Sequence, residues 1–171
     1  EVEGVEKGPT TTDYTFEKLL YTWSIEEVLK HIGAIYLRPE NGKYVRLASG
    51  LVSNGYVNIW VAERNPYILE RASNELHDQL IWSGIKADIV MGAQMGSVRM
   101  SAFLAKAMGI EESIYTEKTG GKDENMELKR HDTDLAGKNI ILSEDVITKA
   151  TTTKKMIEIV EKAWGNVVGI T

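Results

Sequence analysis

The stretch "NIILSEDVITKATTTKKMIEIVEKAW", Asn139–Trp164, decides how the chain is read. Its apolar run, Ile140-Ile141-Leu142, has the length and β-branched content of a buried strand. Two adjacent acids follow, Glu144 and Asp145, and then four threonines within six residues, Thr148, Thr151, Thr152 and Thr153. Behind them Met156, Val160 and Trp164 recur at helical spacing, which predicts a helix packed on a sheet. The order is therefore strand, acidic turn, hydroxyl-rich helix start. Backbone N–H groups from Lys149 to Thr153 at that start attract an anion, and the hydroxyls of Thr148, Thr151 and Thr152 add donors. Glu144 and Asp145 would repel a phosphate they faced, but they accept hydrogen bonds from vicinal hydroxyls. A phosphate beside a diol is the pattern of a ribose 5-phosphate. The same residues also suit a plain turn at Asp145 with threonines that only cap the helix, and both readings stand on residue types alone.

Outward from this stretch, strands and helices alternate. "NPYILERASNELHDQLIWSG" predicts a helix from Pro66 with Asn65 as its cap and Leu69, Ala72, Leu76 and Leu80 inward. "DIVMGA" reads as a short buried strand, "SVRMSAFLAKAMG" as a helix closed by Gly109, and "SIYTEK" as a strand. "GGKDEN" is a polar loop from which "MELKR" pairs back as a hairpin, and "NVVGI" forms a further strand. Such alternation predicts a parallel sheet with helices on both faces. Nearer the N-terminus, "TFEKLLYTW" reads as a short helix packing Phe16, Leu19, Leu20 and Trp23. In "SIEEVLKHIG", Ser24 and Glu27 have capping-box spacing and Gly33 ends the helix. "IYL", "YVRLA" and "YVNIWVA" read as strands parted by turns at Asn41-Gly42 and Asn54-Gly55.

The chain has 171 residues, 43% hydrophobic and 26% charged, enough for a globular domain with a sizeable core. A net charge of −5 argues against a general nucleic-acid binder, which needs a basic face. The absence of cysteine removes disulfides, thiolate metal sites and cysteine nucleophiles. No apolar run is long enough to span a membrane, and "EVEGVEKGPTTTD" has no apolar signal-peptide core, so residues 1–15 are expected to be a flexible arm and the location cytoplasmic. The three histidines, His31, His77 and His131, lack metal-ligand spacing, and Trp60, Trp82 and Trp164 are expected to be packing residues.

In a sheet of this kind ligands sit beyond the carboxyl ends of the strands. A second loop there draws interest: "MGAQMGS", Met91–Ser97, where Gly92 and Gly96 allow close backbone approach and a helix N-terminus follows. Glycines in a strand-to-helix turn also serve plain geometry, so this loop alone is a weak signal.

The motif "IILSEDVITKATT" resembles the phosphoribosyl diphosphate (PRPP) motif of the type I phosphoribosyltransferases. The resemblance runs from about Ile25 to Ile170 and is nearest to the orotate enzymes of that family. "RLASGLVSNGYVN", Arg46–Asn58, is similar to their N-terminal segment, "IVMGAQMGSVRMSAFLAKAMG" to their pyrophosphate-side strand, loop and helix, and "YTEK" with "MELKR" to their mobile catalytic hairpin. What this implies is an α/β fold of type I phosphoribosyltransferase (Rossmann-like) form: a central parallel sheet flanked by helices, with a small N-terminal hood. Residues 16–171 would make one domain, with 16–64 as the hood and 65–171 as the α/β core.

The resemblance implies transfer of a 5-phosphoribosyl group from PRPP to orotate, releasing pyrophosphate and forming orotidine 5′-monophosphate. Glu144 and Asp145 would hold the ribose hydroxyls, and Thr148, Lys149, Ala150, Thr151 and Thr152 the 5-phosphate. Gly92, Ala93, Gln94, Met95 and Gly96 would lie against pyrophosphate. Lys118 and Lys122 would neutralise the leaving group, with Asp145 completing the catalytic set, in a homodimer as in the family. Ser49, Gly50, Tyr56 and Asn58 would lie over the base. Mg2+ would be held mainly by PRPP oxygens and water rather than by protein ligands. The alternatives are a phosphoribosyltransferase for another, purine, base and a non-catalytic regulator sensing PRPP or a nucleotide; neither nucleic acid nor membrane is an expected partner.

The sequence departs from the pattern at named places. Lys149 stands where the family has a small residue, and Ala150 where it has glycine; alanine tolerates positive φ poorly, so the expectation is an altered cradle. Ala48 and Gly96 stand where many or some relatives carry lysine, and Val52 where histidine is common.

Overall fold

A computed structural model describes residues 18, 20–47, 50–119, 125–128 and 133–171. The expected helical residues Phe16 and Leu19, the site candidates Ser49 and Lys122, and His131 lie outside them. The chain divides into two compact units, Glu1–Ile68 and Leu69–Thr171.

In the first unit, helix α1 (Ile25–His31) starts at the capping box its sequence predicts. Ser24 Oγ accepts the Glu27 N–H at 3.2 Å, and Glu27 Oε2 accepts the Ser24 N–H at 2.8 Å. The Ser24 hydroxyl also donates to Glu27 Oε2 at 2.9 Å, and the bonds that the carboxylate accepts from the Ser24 N–H, the larger cause, and from this hydroxyl hold the Glu27 carboxyl below its ordinary range. Gly33, at φ +73°, ends the helix. Strands β1 (Ile35–Leu37), β2 (Val45–Arg46), β3 (Val52–Ser53) and β4 (Gly55–Val57) pair as two antiparallel ribbons, β1 with β4 and β2 with β3. Asn54-Gly55 is therefore a corner between ribbons rather than a hairpin turn.

The reading of "YVNIWVA" as one strand is corrected: the strand stops at Val57 and helix α2 spans Ile59–Glu63. The reason is burial. Helical spacing brings Ile59 and Ala62 onto a cluster with Leu20, Val28 and Ile68, a face that an extended chain would split.

Helix α3 (Pro66–Trp82) begins with the Asn65 side chain accepting the Tyr67 N–H at 3.0 Å. The second unit then runs β5 (Ile89–Ala93), α4 (Val98–Met108), β6 (Glu112–Lys118), β7 (Met126–Glu127), β8 (Asn139–Ser143), α5 (Thr151–Lys162) and β9 (Asn166–Ile170). Its five-stranded sheet has the order β7-β6-β5-β8-β9. The pairs β5–β6, β5–β8 and β8–β9 are parallel, and only β7 is antiparallel, paired back on β6 through Lys118↔Met126.

Alternate residues of the central strands feed two cores. Met91, Ile114 and Leu142 pack with Met156 and Val160 of α5 on one face. Val90 and Ile141 pack with Leu104 and Ala105 of α4 and Leu80 of α3 on the other. Both faces are covered, so "IVM" and "IIL" are continuous apolar runs without alternation. Each such fully buried side chain contributes about 1.5–3 kcal/mol.

The tryptophans expected to pack do not. Trp60, Trp82 and Trp164 are 49%, 91% and 81% exposed. Trp164 instead occupies the left-handed position that closes α5, at φ +60°. Gly165 N–H returns to Val160 O at 3.0 Å and Trp164 N–H to Glu161 O at 3.0 Å, the double bond pattern that glycine usually completes from the Trp164 position. Among the described residues no helix is long and apolar enough to cross a membrane.

Candidate active site

Strands β5 and β8 are parallel neighbours with Gly92 opposite Ser143, so their carboxyl ends release two loops side by side. One is Gln94–Ser97; the other runs from Glu144 to Ala150. A single buried hydroxyl joins them at the base. Ser97 Oγ accepts the Ala93 N–H at 2.7 Å and donates to the Ser143 carbonyl at 2.5 Å, fixing the point from which the acid pair departs. Glu144 N–H is bonded to the Thr171 carbonyl at 2.9 Å.

The two glycines of the first loop serve different contacts. A Cβ at Gly92 would lie 2.6 Å from Ser101 Oγ and 2.7 Å from the Ser97 carbonyl, so this glycine lets α4 seat directly on the strand. A Cβ at Gly96 would collide with the carboxylate of Asp145. Asp145 thus occupies the space that a side chain at 96 would fill, and the loops interlock through it. The peptide bond between Gln94 and Met95 is cis. Gln94 turns away from this contact, its Oε1 accepting the Lys118 N–H at 2.8 Å and tying the loop to the end of β6.

The acids diverge. While Asp145 lies against Gly96, Glu144 Oε2 accepts the hydroxyl of Thr153, which is buried in the first turn of α5. Ala150 precedes that helix in the left-handed conformation, φ +53° and ψ 27°. The residue takes the left-handed geometry that glycine favours despite its Cβ. Ala150, as N-cap, offers no side-chain hydrogen bond to the first turn of α5, whose N–H groups open toward the loop. Thr148, Lys149 and Thr151 are exposed beside them, Thr152 is half-buried, and Lys149 enters none of the described hydrogen bonds or ion pairs.

Within the second unit the structure brings together Gly92–Gly96, Glu144, Asp145, the 148–152 stretch and, through Gln94, Lys118. Gly50, Tyr56 and Asn58 belong to the first unit. Gly50 is at φ +80° in the link between β2 and β3, the Tyr56 ring is partly exposed, and Asn58 N–H donates to Ala34 O at 2.7 Å. Ser97 and Thr153 were missed by the sequence reading. For Ser97 the signal was its place directly after a glycine loop; for Thr153 it was the helical phase it shares with Met156 and Val160, which turns it inward while its neighbours face out.

Residues 64–171 match the model of the phosphoribosyl transferase domain. The chain belongs to that family. As a phosphoribosyltransferase-family chain it is 31% identical over 127 residues to the orotate phosphoribosyltransferase of Desulforamulus reducens, covering 74% of this chain and 63% of that one. The phosphoribosyltransferase fold is shared with the orotate phosphoribosyltransferase structure from Aeropyrum pernix, at TM-score 0.65 and 20% identity, covering 84% of this chain and 77% of that one. It is shared equally with the adenine phosphoribosyltransferase structure from Leishmania donovani, at TM-score 0.62 and 14% identity, covering 86% of this chain and 66% of that one.

Proposed function

We propose that the chain is an orotate phosphoribosyltransferase. The observation that carries this is the interlock of Asp145 with the Gly96 loop, which sets a carboxylate between a glycine turn and an open helix N-terminus. One ligand with a diphosphate, a diol and a terminal phosphate matches that sequence of groups. The orotate relative supports the choice of base, since the fold itself is common to orotate and adenine enzymes.

In this reading Glu144 and Asp145 accept the ribose hydroxyls, and the first turn of α5 with Thr148, Thr151 and Thr152 binds the 5-phosphate. The Gln94–Ser97 loop lies along the diphosphate, with Lys118 and Lys122 supplied by the β6–β7 hairpin of the same chain or of a partner copy in a homodimer. A nitrogen of orotate attacks the anomeric carbon as its bond to the diphosphate oxygen breaks, and pyrophosphate leaves with the electron pair. The chain's task is to orient both reactants and to stabilise the departing charge. Mg2+ would be held mainly by PRPP oxygens and water, as suits a hard cation, and when bound it would neutralise the leaving group, while Glu144 and Asp145 stay on the ribose hydroxyls.

The test is pyrophosphate release from PRPP and Mg2+ with orotate, adenine, hypoxanthine and guanine offered in turn. Release with orotate alone is expected. Release with a purine instead would move the assignment to that base, and PRPP binding without release under any base would make the chain a sensor.

A further inference from the structure

Four threonines follow the acid pair; Thr148 and Thr151 are exposed and Thr152 is half-buried. Thr153 is 4% exposed, and its hydroxyl is spent on Glu144 Oε2. A threonine in a helix ordinarily returns its hydroxyl to the carbonyl one turn back. Here the bond goes across the loop to a carboxylate, so it stabilises neither the helix nor its cap. What it fixes is the rotamer of Glu144. A free glutamate in a loop samples several rotamers and loses that freedom when it binds. With Oε2 held by Thr153, the other oxygen keeps one direction, set before any ligand arrives. Asp145 is held separately, by the space at Gly96, so the two carboxylates reach the site through independent supports.

We propose that Thr153 is a positioning residue that pre-orients Glu144 toward the ribose hydroxyls. This rests on the reading of the site as a PRPP site. The helix then has a double use: its first N–H groups serve the 5-phosphate, and its first inward side chain aims the carboxylate at the sugar. The two ends of one ligand are thereby set at a distance fixed by a single turn of α5.

The experiment is titration of the full chain with PRPP and Mg2+, by calorimetry, for the parent, Thr153→Val, Thr153→Ser and Glu144→Gln, and for Thr153→Val in the Glu144→Gln background. Val keeps the shape and removes the donor; Ser keeps the donor. The expected result is affinity weakened about tenfold in Thr153→Val and near the parent in Thr153→Ser, from the loss of one hydrogen bond to a charged group. Because Thr153 acts through Glu144, the valine should add less than about twofold once Glu144 is already Gln. Should Thr153→Val not fold, Thr153→Ala carries the same expectation. Parent-like affinity in a folded hydroxyl-less variant, or a full tenfold loss that persists in the Glu144→Gln background, would overturn the proposal and leave Thr153 a packing residue. A parent chain that binds no PRPP would instead defeat the functional reading itself.

Discussion

Gly96 shows how one missing carbon organises a site. Its hydrogen stands where a methyl would meet the Asp145 carboxylate, so Gly96→Ala must push that carboxylate away from the diol it is proposed to hold. The expected outcome is a folded protein whose PRPP affinity falls about as far as that of Asp145→Asn, a loss of roughly 1.5–3 kcal/mol per charged hydrogen bond. Parallel titrations check this; a Gly96→Ala variant with parent affinity would show that the carboxylate can be seated elsewhere at no cost. Ala150 is the converse case, a Cβ where none is wanted. Its φ of +53° costs an alanine about 1 kcal/mol that glycine does not pay, so Ala150→Gly should raise the thermal midpoint while leaving the cradle's shape unchanged. A lowered midpoint would mean that the greater freedom of glycine in the unfolded chain outweighs the relief. The strain at Ala150 was legible in the sequence, since alanine tolerates positive φ poorly, but the contact at Gly96 was not. Glycine could be flagged at 96, but what faces it is a residue that the chain reaches only after three further strands.

At the scale of elements the sequence was more open. The capping box of α1, the Pro66 start of α3 and the strands "IVMGA" and "NIILS" follow from local patterns, because caps and buried runs are decided within a few residues. Where local pattern and burial disagreed, as in "NIWVA", burial decided, and that conflict was invisible without knowing that Val28 and Ile68 wait on the other side. The α1 cap also makes a pH prediction. Glu27 has a lowered pKa in the fold, so its contribution is present above its ordinary 4.5 and is lost as pH falls through the lower folded value. Glu27→Gln should therefore be less stable than the parent near neutrality and should converge with it in acid. Thermal unfolding of both proteins between about pH 3 and 7 tests the sign; a gap that persists unchanged into acid would assign the cap to neutral hydrogen bonding.

For the whole molecule, the α/β order was readable because parallel strands covered on both faces must be apolar runs separated by helices. The meeting of Ser97 with Ser143 was not, since it arises from parallel register rather than from neighbours in sequence. Assembly supplies a further prediction. If the β6–β7 hairpin serves a partner copy's site, a chain with Lys118 and Lys122 both changed to alanine and a chain with Asp145→Asn should each be nearly inactive alone. Mixed together they should recover activity, toward about a quarter of the parent level, since a random mixture yields half mixed dimers with one intact site each. Absence of recovery after confirmed subunit exchange would confine the lysines to their own chain.

The outward placement of Trp82 and Trp164 has a spectroscopic consequence. Indoles that are 91% and 81% exposed already emit from water in the native state, so unfolding changes their surroundings little. Trp23, edge-on to His31 with ring centroids 5.2 Å apart, is the sheltered fluorophore beside α1. A denaturation curve followed by tryptophan emission would then chiefly record the first unit and pass almost silently over the five-stranded sheet, whose loss would need circular dichroism to be seen. Acrylamide, for the same reason, would quench most of the native emission before any strand had opened.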